Sequence, residues 1–160
     1  MQIKKILSKK EIEEIEDIIE KNYGCRIGMK NYRIFVTGEE KIWISSKSID
    51  FDIFNFLKRC YRIGIYFGKL KRNKKIKLSI EGVMMVGKKA IKNIAILNEE
   101  EALKYMHGYD VTPDKIVRGE LNNFVLIKYR EDFIGTGILR ENYIENLTPK
   151  SRRIVKGKVI

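Results

Sequence analysis

Arg152 and Arg153 have the types and spacing best suited to chemistry in this chain. With Lys150, Lys156 and Lys158 they place five cations within nine residues, and no acid stands among them. A guanidinium can hold a phosphate through two hydrogen bonds or lie flat on a base, which an ammonium cannot do. Lysines add counterion release, so each phosphate contact makes binding fall with rising salt. Upstream, Gly135-Thr136-Gly137 lacks the rest of any phosphate-cradling loop. Its glycines read either as a kink in a barrel strand or as a place where a nucleotide approaches the backbone, and both Gly135 and Gly137 stand as candidate contacts. Catalysis finds no constellation. His107 is the single histidine and sits at a predicted helix end, where a cap or core role explains it. There is no Ser/His/Asp set, no matched carboxylate pair and no room for a Rossmann-type methyltransferase. Cys25 and Cys60 lie far apart without Cys-x-x-Cys spacing, so neither a metal site nor a disulfide framework is indicated. The chain is expected to be no enzyme and to use no cofactor.

Charge is distributed unevenly. Of a net +12 over 160 residues, the stretch 58–92 holds twelve cations against the single acid Glu81, whereas 93–149 holds six cations and ten acids. A lysine-rich genome could raise the total but would not produce that partition. Polyanions are the expected partners. Lys71, Arg72, Lys74 and Lys75 form a second candidate RNA contact, with Tyr61, Tyr66 and Phe67 beside the cations. The competing reading is a solvated face that docks an acidic protein. A membrane surface fits poorly, because the cations fall in predicted strands rather than on an amphipathic helix. The charged N-terminus is no secretory signal, and no run approaches the ~18 apolar residues of a spanning helix, so a cytoplasmic protein is expected.

The elements that must carry these residues follow from periodicity. Ile12, Ile15, Ile18 and Ile19 share one face of a helix over 8–22, with Ser8 and Glu11 spaced as a capping box and Gly24 as its stop. Its acidic outer face is expected to be solvated surface. Residues 32–37 and 41–46 predict a hairpin around Gly38-Glu39-Glu40, with Trp43 packed on a sheet face. A second helix is expected over 50–61, a strand over 75–80, a short helix or turn over 81–89 and a strand over 92–97. Asn98 caps a helix over 99–107 ended by Gly108, and 111–114 turns at Pro113. Val125, Ile127 and Tyr129 alternate with Leu126, Lys128 and Arg130, predicting a strand buried on one face. Glu131-Asp132 turns it into a return strand over 133–139, and a basic strand over 150–158 closes the chain. Two closely packed units are expected, 1–88 and 89–160.

The order of the second half, from the 92–97 strand and 99–107 helix through Gly108-Tyr109-Asp110-Val111 to Phe133-Ile134-Gly135-Thr136-Gly137-Ile138 and a basic end, resembles a PUA domain. In the first half, Ile6-Leu7-Ser8-x-x-Glu11, Tyr66-Phe67-Gly68-Lys69-Leu70 and Lys75-Ile76-Lys77-Leu78-Ser79-Ile80 resemble the pre-PUA domain of the nuclear import protein seven family and its archaeal relatives. This resemblance implies an α+β chain, with an α/β pre-PUA domain followed by a PUA β-pseudobarrel. It implies a non-catalytic RNA-binding factor of pre-rRNA processing and large-subunit assembly, meeting ribosomal RNA, or else transfer RNA, and assembly proteins. Family RNA contacts near the last PUA strand would fall on Arg152, Arg153, Lys156 and Lys158. One segment departs from that family: Asn-Leu-Thr-Pro-Lys-Ser-Arg-Arg at 146–153 is closer to the PUA-like tails of RNA methyltransferases, which makes a targeting module for an RNA-modifying enzyme the alternative.

Overall fold

The computed structural model describes residues 3–47 and 64–155. The expected helix over 50–61, Cys60, Tyr61, Lys156 and Lys158 lie outside the described residues.

Helix α1 (Lys9–Tyr23) forms where its isoleucine stripe requires it. Ser8 Oγ accepts from Glu11 N–H at 3.3 Å, Glu11 Oε1 accepts from Ser8 N–H at 3.2 Å, and Gly24 ends the helix in the left-handed region at φ 75°. Ile12, Ile15, Ile19 and Tyr23 are buried against a five-stranded antiparallel meander: β1 (Ile3–Ile6), β2 (Tyr32–Thr37), β3 (Lys41–Ser46), β4 (Ile65–Lys71) and β5 (Lys75–Leu78). The acidic face of α1 is not merely solvated. Arg26 ion-pairs with Glu13, Asp17 at 2.9 Å and Glu20 at 2.8 Å. Buried Glu16 accepts from Met29 N–H at 3.2 Å, so these acids fold the loop after the helix back onto it.

Helix α2 (Ile80–Gly87) begins at its N-cap Ser79 and lies between the first sheet and a second one. A Cβ on Gly82 would stand 2.2 Å from the Phe67 carbonyl oxygen of β4, and one on Gly87 would stand 2.4 Å from the Phe133 ring of the second sheet. That second sheet has the order β10 (Ile144–Asn146), β9 (Asp132–Leu139), β8 (Phe124–Tyr129), β6 (Ile94–Leu97), β7 (Lys115–Val117), with β6 and β8 parallel and the rest antiparallel. Its two edges meet. Val111 exchanges backbone bonds with Ile144 of β10 at 3.2 and 2.7 Å before the same segment enters β7, so the sheet closes on itself. Helix α3 (Glu99–Met106), capped by Asn98 Oδ1 accepting from Glu101 N–H at 2.9 Å, stands at one end.

Strand β8 is buried on both faces, not one. Val125 and Ile127 point into the closed sheet, while Leu126 joins the core shared with α1 and the first sheet, because α2 covers the outer side. The junction between the sheets is pinned at Asn93. Fully buried, with φ 56°, Asn93 donates from Nδ2 to Asn22 O at 2.5 Å and accepts at Oδ1 from Glu120 N–H at 2.9 Å. Its own N–H and C=O pair with Arg118 O at 3.2 Å and Leu126 N at 2.8 Å. Ile91 N–H takes the Tyr23 carbonyl at 2.9 Å, so two terminal carbonyls of α1 are satisfied by the junction. Asn93→Ala leaves Asn22 O unpaired in the interior, removes the partner of the half-buried Glu120 N–H and keeps a side chain in the left-handed region. We expect a loss of about 2–3 kcal/mol in urea unfolding, most of it retained in Asn93→Gly.

Candidate nucleic-acid interface

The β4–β5 hairpin sets the lysines. Its core-facing residues Leu70, Ile76 and Leu78 alternate with them, so Lys69, Lys71, Lys75 and Lys77 point to the other face, and the register shift opposite Ile42 and Trp43 lets Phe67 be buried as well. There Lys69 stands opposite Lys77, Lys71 opposite Lys75, and Lys41 of β3 opposite Lys69, a row of like charges across three strands. Arg72 and Lys74 are exposed in the hairpin turn, where Lys74 takes φ 55°. Lys69 reaches Glu39 at 3.6 Å. Lys71 and Lys77 have no acidic partner among the described residues. Burial, reinforced by Lys71 and Lys69, lowers the pKa of Lys77 below its ordinary 10.5. Like charges directly opposite weaken a sheet, so this face is arranged against the stability of the free protein.

The chain's end does not form the expected strand in its described part. Pro149 cannot donate to a ladder, Lys150–Arg152 make a 3₁₀ turn, and Ile154 N–H binds Met106 O at 2.9 Å at the end of α3. His107 caps that helix and its Nδ1–H donates to Ile154 O at 2.8 Å, a structural role. The two neighbouring arginines therefore diverge. Arg153 is an anchor: its Nε donates to Thr148 O at 3.0 Å, and its side chain lies where a Cβ on Gly108 would come within 2.5 Å. Arg152 instead faces α2 and pairs with Glu81 at 2.9 Å. Lys150 is exposed on the turn.

A cleft of about 480 Å³ lies where the two sheets meet, and it joins the two basic stretches. Its walls include Lys69, Lys71, Lys77 and Tyr66 from the first sheet, Ser79 and Glu81 at the start of α2, and Tyr105, Thr136, Thr148 and Arg152 from the second half. Lys75, Arg72 and Lys74 continue the basic surface outward along the hairpin, whereas Arg153 is not part of this wall. Tyr66 packs against Trp43 with ring centroids 5.3 Å apart, and Trp43 in turn stacks on Phe35 and donates to Thr37 Oγ1 at 2.9 Å. Lys69 and Lys77 were not among the candidate contacts expected from sequence, whereas Tyr66 was noted there beside the cations. The cross-strand pairing that aligns the lysines could have been read from their alternation with Leu70, Ile76 and Leu78.

Gly135 and Gly137 are both buried, and the space a side chain would fill holds the Tyr105 hydroxyl, 2.2 Å from a Gly135 Cβ, and Ile144 Cγ2, 2.4 Å from a Gly137 Cβ. The lack of a side chain at each makes room for the barrel's own packing. Tyr105 donates to Thr136 O at 2.7 Å, and burial pushes its phenol up to about 12.

Residues 92–154 match the sequence family described as the methyltransferase RsmF PUA domain. Residues 92–154 are a PUA domain. The match leaves 1–91 outside it, and a search of curated proteins returns no match. In fold, the chain is similar to the crystal structure of a PUA domain from Aeropyrum pernix K1 in its tartrate complex. That likeness has TM-score 0.58 and 13% identity over 91% of this chain and 85% of that one. The PUA domain thus supplies Tyr105, Thr136, Thr148 and Arg152 to the cleft, and the preceding sheet supplies the lysines.

Lys77→Met removes a half-buried charge that faces like charges. We expect its melting temperature to exceed that of the unchanged protein by about 1–3 °C at neutral pH. Because the folded pKa of Lys77 is lowered, the destabilisation is fully present below that pKa and is relieved as pH rises toward the ordinary 10.5. The advantage of Lys77→Met should therefore shrink in melting curves recorded across that range.

Proposed function

We propose that this chain is an RNA-binding accessory protein that grips phosphates with a continuous basic surface. The surface runs from the Arg72–Lys75 hairpin turn through Lys71, Lys69 and Lys77 to Arg152, with Lys150 at its border. The observation that carries this reading is the convergence of the two basic stretches on one cleft beside a PUA domain. A solvated surface gains nothing by placing Lys69 opposite Lys77 and Lys71 opposite Lys75, whereas a polyanion removes that repulsion on binding.

Within RNA binding, two settings have separate support. Large-subunit assembly and pre-rRNA processing, with ribosomal RNA as ligand, rest on the resemblance of the first half to a pre-PUA domain of archaeal type and of the nuclear import protein seven family. Targeting of an RNA-modifying enzyme is favoured by the match to the methyltransferase RsmF PUA domain and by the Asn146–Arg153 tail. Crosslinking the chain to cellular RNA and sequencing the fragments separates them. Enrichment of large-subunit precursor sequences supports the first. Enrichment confined to sites of base modification supports the second, and recovery of no RNA above an uncrosslinked control overturns both.

Arg152 and Arg153 should separate in filter binding. Arg152→Ala is expected to weaken binding to a single-stranded RNA about three- to ten-fold with an unchanged melting temperature. Arg153→Ala is expected to lower the melting temperature, because its hydrogen bond to Thr148 O disappears. Charge reversal at Lys71, Arg72, Lys74 and Lys75 should reduce the slope of log affinity on log salt by roughly 0.7 for each phosphate that is no longer neutralised. An unaltered slope would transfer that patch to an acidic protein partner.

A further inference from the structure

The cleft has features that a surface following an RNA backbone does not need. It is a recess of about 480 Å³, in the size range of small-ligand sites, and it is large enough for a single nucleotide. Four of its lining residues are cations, Lys69, Lys71, Lys77 and Arg152, against one acid, Glu81, which Arg152 holds at 2.9 Å. Lys77 is half-buried beside Lys71 without an acidic partner among the described residues. The start of α2 also opens on this space. Ser79 Oγ accepts from Gly82 N–H at 2.9 Å and donates to the Tyr66 carbonyl at 2.5 Å, which fixes the positive end of the helix at the cleft wall.

The opposite wall is uncharged and polar. Thr148, only 6% exposed, keeps its shielded hydroxyl beside that of Tyr105, to which it can donate, while Tyr105 donates to Thr136 O at 2.7 Å. Tyr66 offers an aromatic ring on the same wall as the lysines. Phosphate on one side and an aromatic surface on the other are the two halves of nucleotide recognition.

We infer that the cleft between the first sheet and the PUA domain seats one phosphorylated nucleotide, its phosphate held by Lys71, Lys77 and the start of α2. The inference rests on the RNA-binding reading for its ligand class and adds to it a defined seat. The nucleotide can belong to an RNA strand, as a terminal or turned-out residue, or be free. In either case the guest brings a negative charge to Lys77, and Arg152 can turn from Glu81 to the phosphate.

The test follows backbone amide resonances of Lys77, Glu81 and Gly82 in the isotope-labelled full chain, titrated with adenosine 5′-monophosphate, with adenosine, and with a single-stranded RNA decamer. Saturable shifts with the monophosphate but not with adenosine, weakened at least five-fold in Lys77→Met, support the seat and a free nucleotide as its source. The same shifts with the decamer alone, weakened likewise, support the seat and assign it to RNA. Lys71→Met, at the cleft's rim, should weaken either ligand in parallel, which guards against a local rearrangement at Lys77. The seat is overturned if neither phosphorylated ligand moves these amides, or if adenosine moves them as strongly as the monophosphate. A decamer that still binds, with unchanged affinity in both variants, would then leave general RNA binding standing without the seat.

Discussion

Asn93 is the constraint on which the arrangement of the molecule depends. A buried residue in the left-handed region is tolerated only where its surroundings over-determine it, and here four hydrogen bonds do so. Those bonds tie the end of α1 to the start of β6, to central strand β8 and to the segment after β7, so the two halves cannot slide against each other without breaking buried pairs. Asparagine is well suited to the position, because its side chain carries both a donor and an acceptor and it accepts positive φ more readily than most residues. With the junction fixed, α2 is held between the sheets and its start is held at the mouth of the cleft.

Rigidity has an electrostatic consequence. Lys69, Lys71 and Lys77 are presented on strands whose opposite face is committed to the α1 core, so they cannot move apart to relieve their repulsion. Arg152 reaches the same space from far along the chain because the tail is clamped to α3 through Ile154, His107 and Arg153. The protein therefore carries a concentration of positive charge that local acids neutralise only in part, at Lys69 by Glu39 and at Arg152 by Glu81, even though acids are abundant elsewhere. On α1, Glu13, Glu16, Asp17 and Glu20 are engaged with Arg26 and Glu11 with Lys5, and those at the start of α3 stabilise the helix or bind Thr112 N–H. Like charges held opposite one another at the cleft are the pattern expected of a binding surface.

Much of the scaffold could be read from sequence where local chemistry was sufficient. The capping box at Ser8, the Gly24 stop, the Asn98 cap and the 32–46 hairpin are all determined within a few residues of themselves. What could not be read exists only through distant partners. Strands β1, β7 and β10 are three or four residues long and are strands because β2, β6 and β9 lie beside them. The alternation in β8 suggested one solvated face, but α2 covers that face, and nothing local to Leu126 announces it. Gly135 and Gly137 were ambiguous between a packed bend and an open floor, and Tyr105, thirty residues earlier than Gly135, decides for packing. In the candidate site, the cations were visible as a charge partition. Their meeting point was not, because it depends on the fixed angle between two sheets.

Whether both halves contribute to one RNA surface can be read from hydrogen–deuterium exchange of the full chain, with and without a saturating single-stranded RNA. Amides of the β4–β5 hairpin, the start of α2 and the 147–152 turn should become protected together, while the Arg26 face of α1 is unchanged. Protection confined to PUA residues remote from the hairpin, with the first sheet exchanging as in the free protein, would contradict a shared surface.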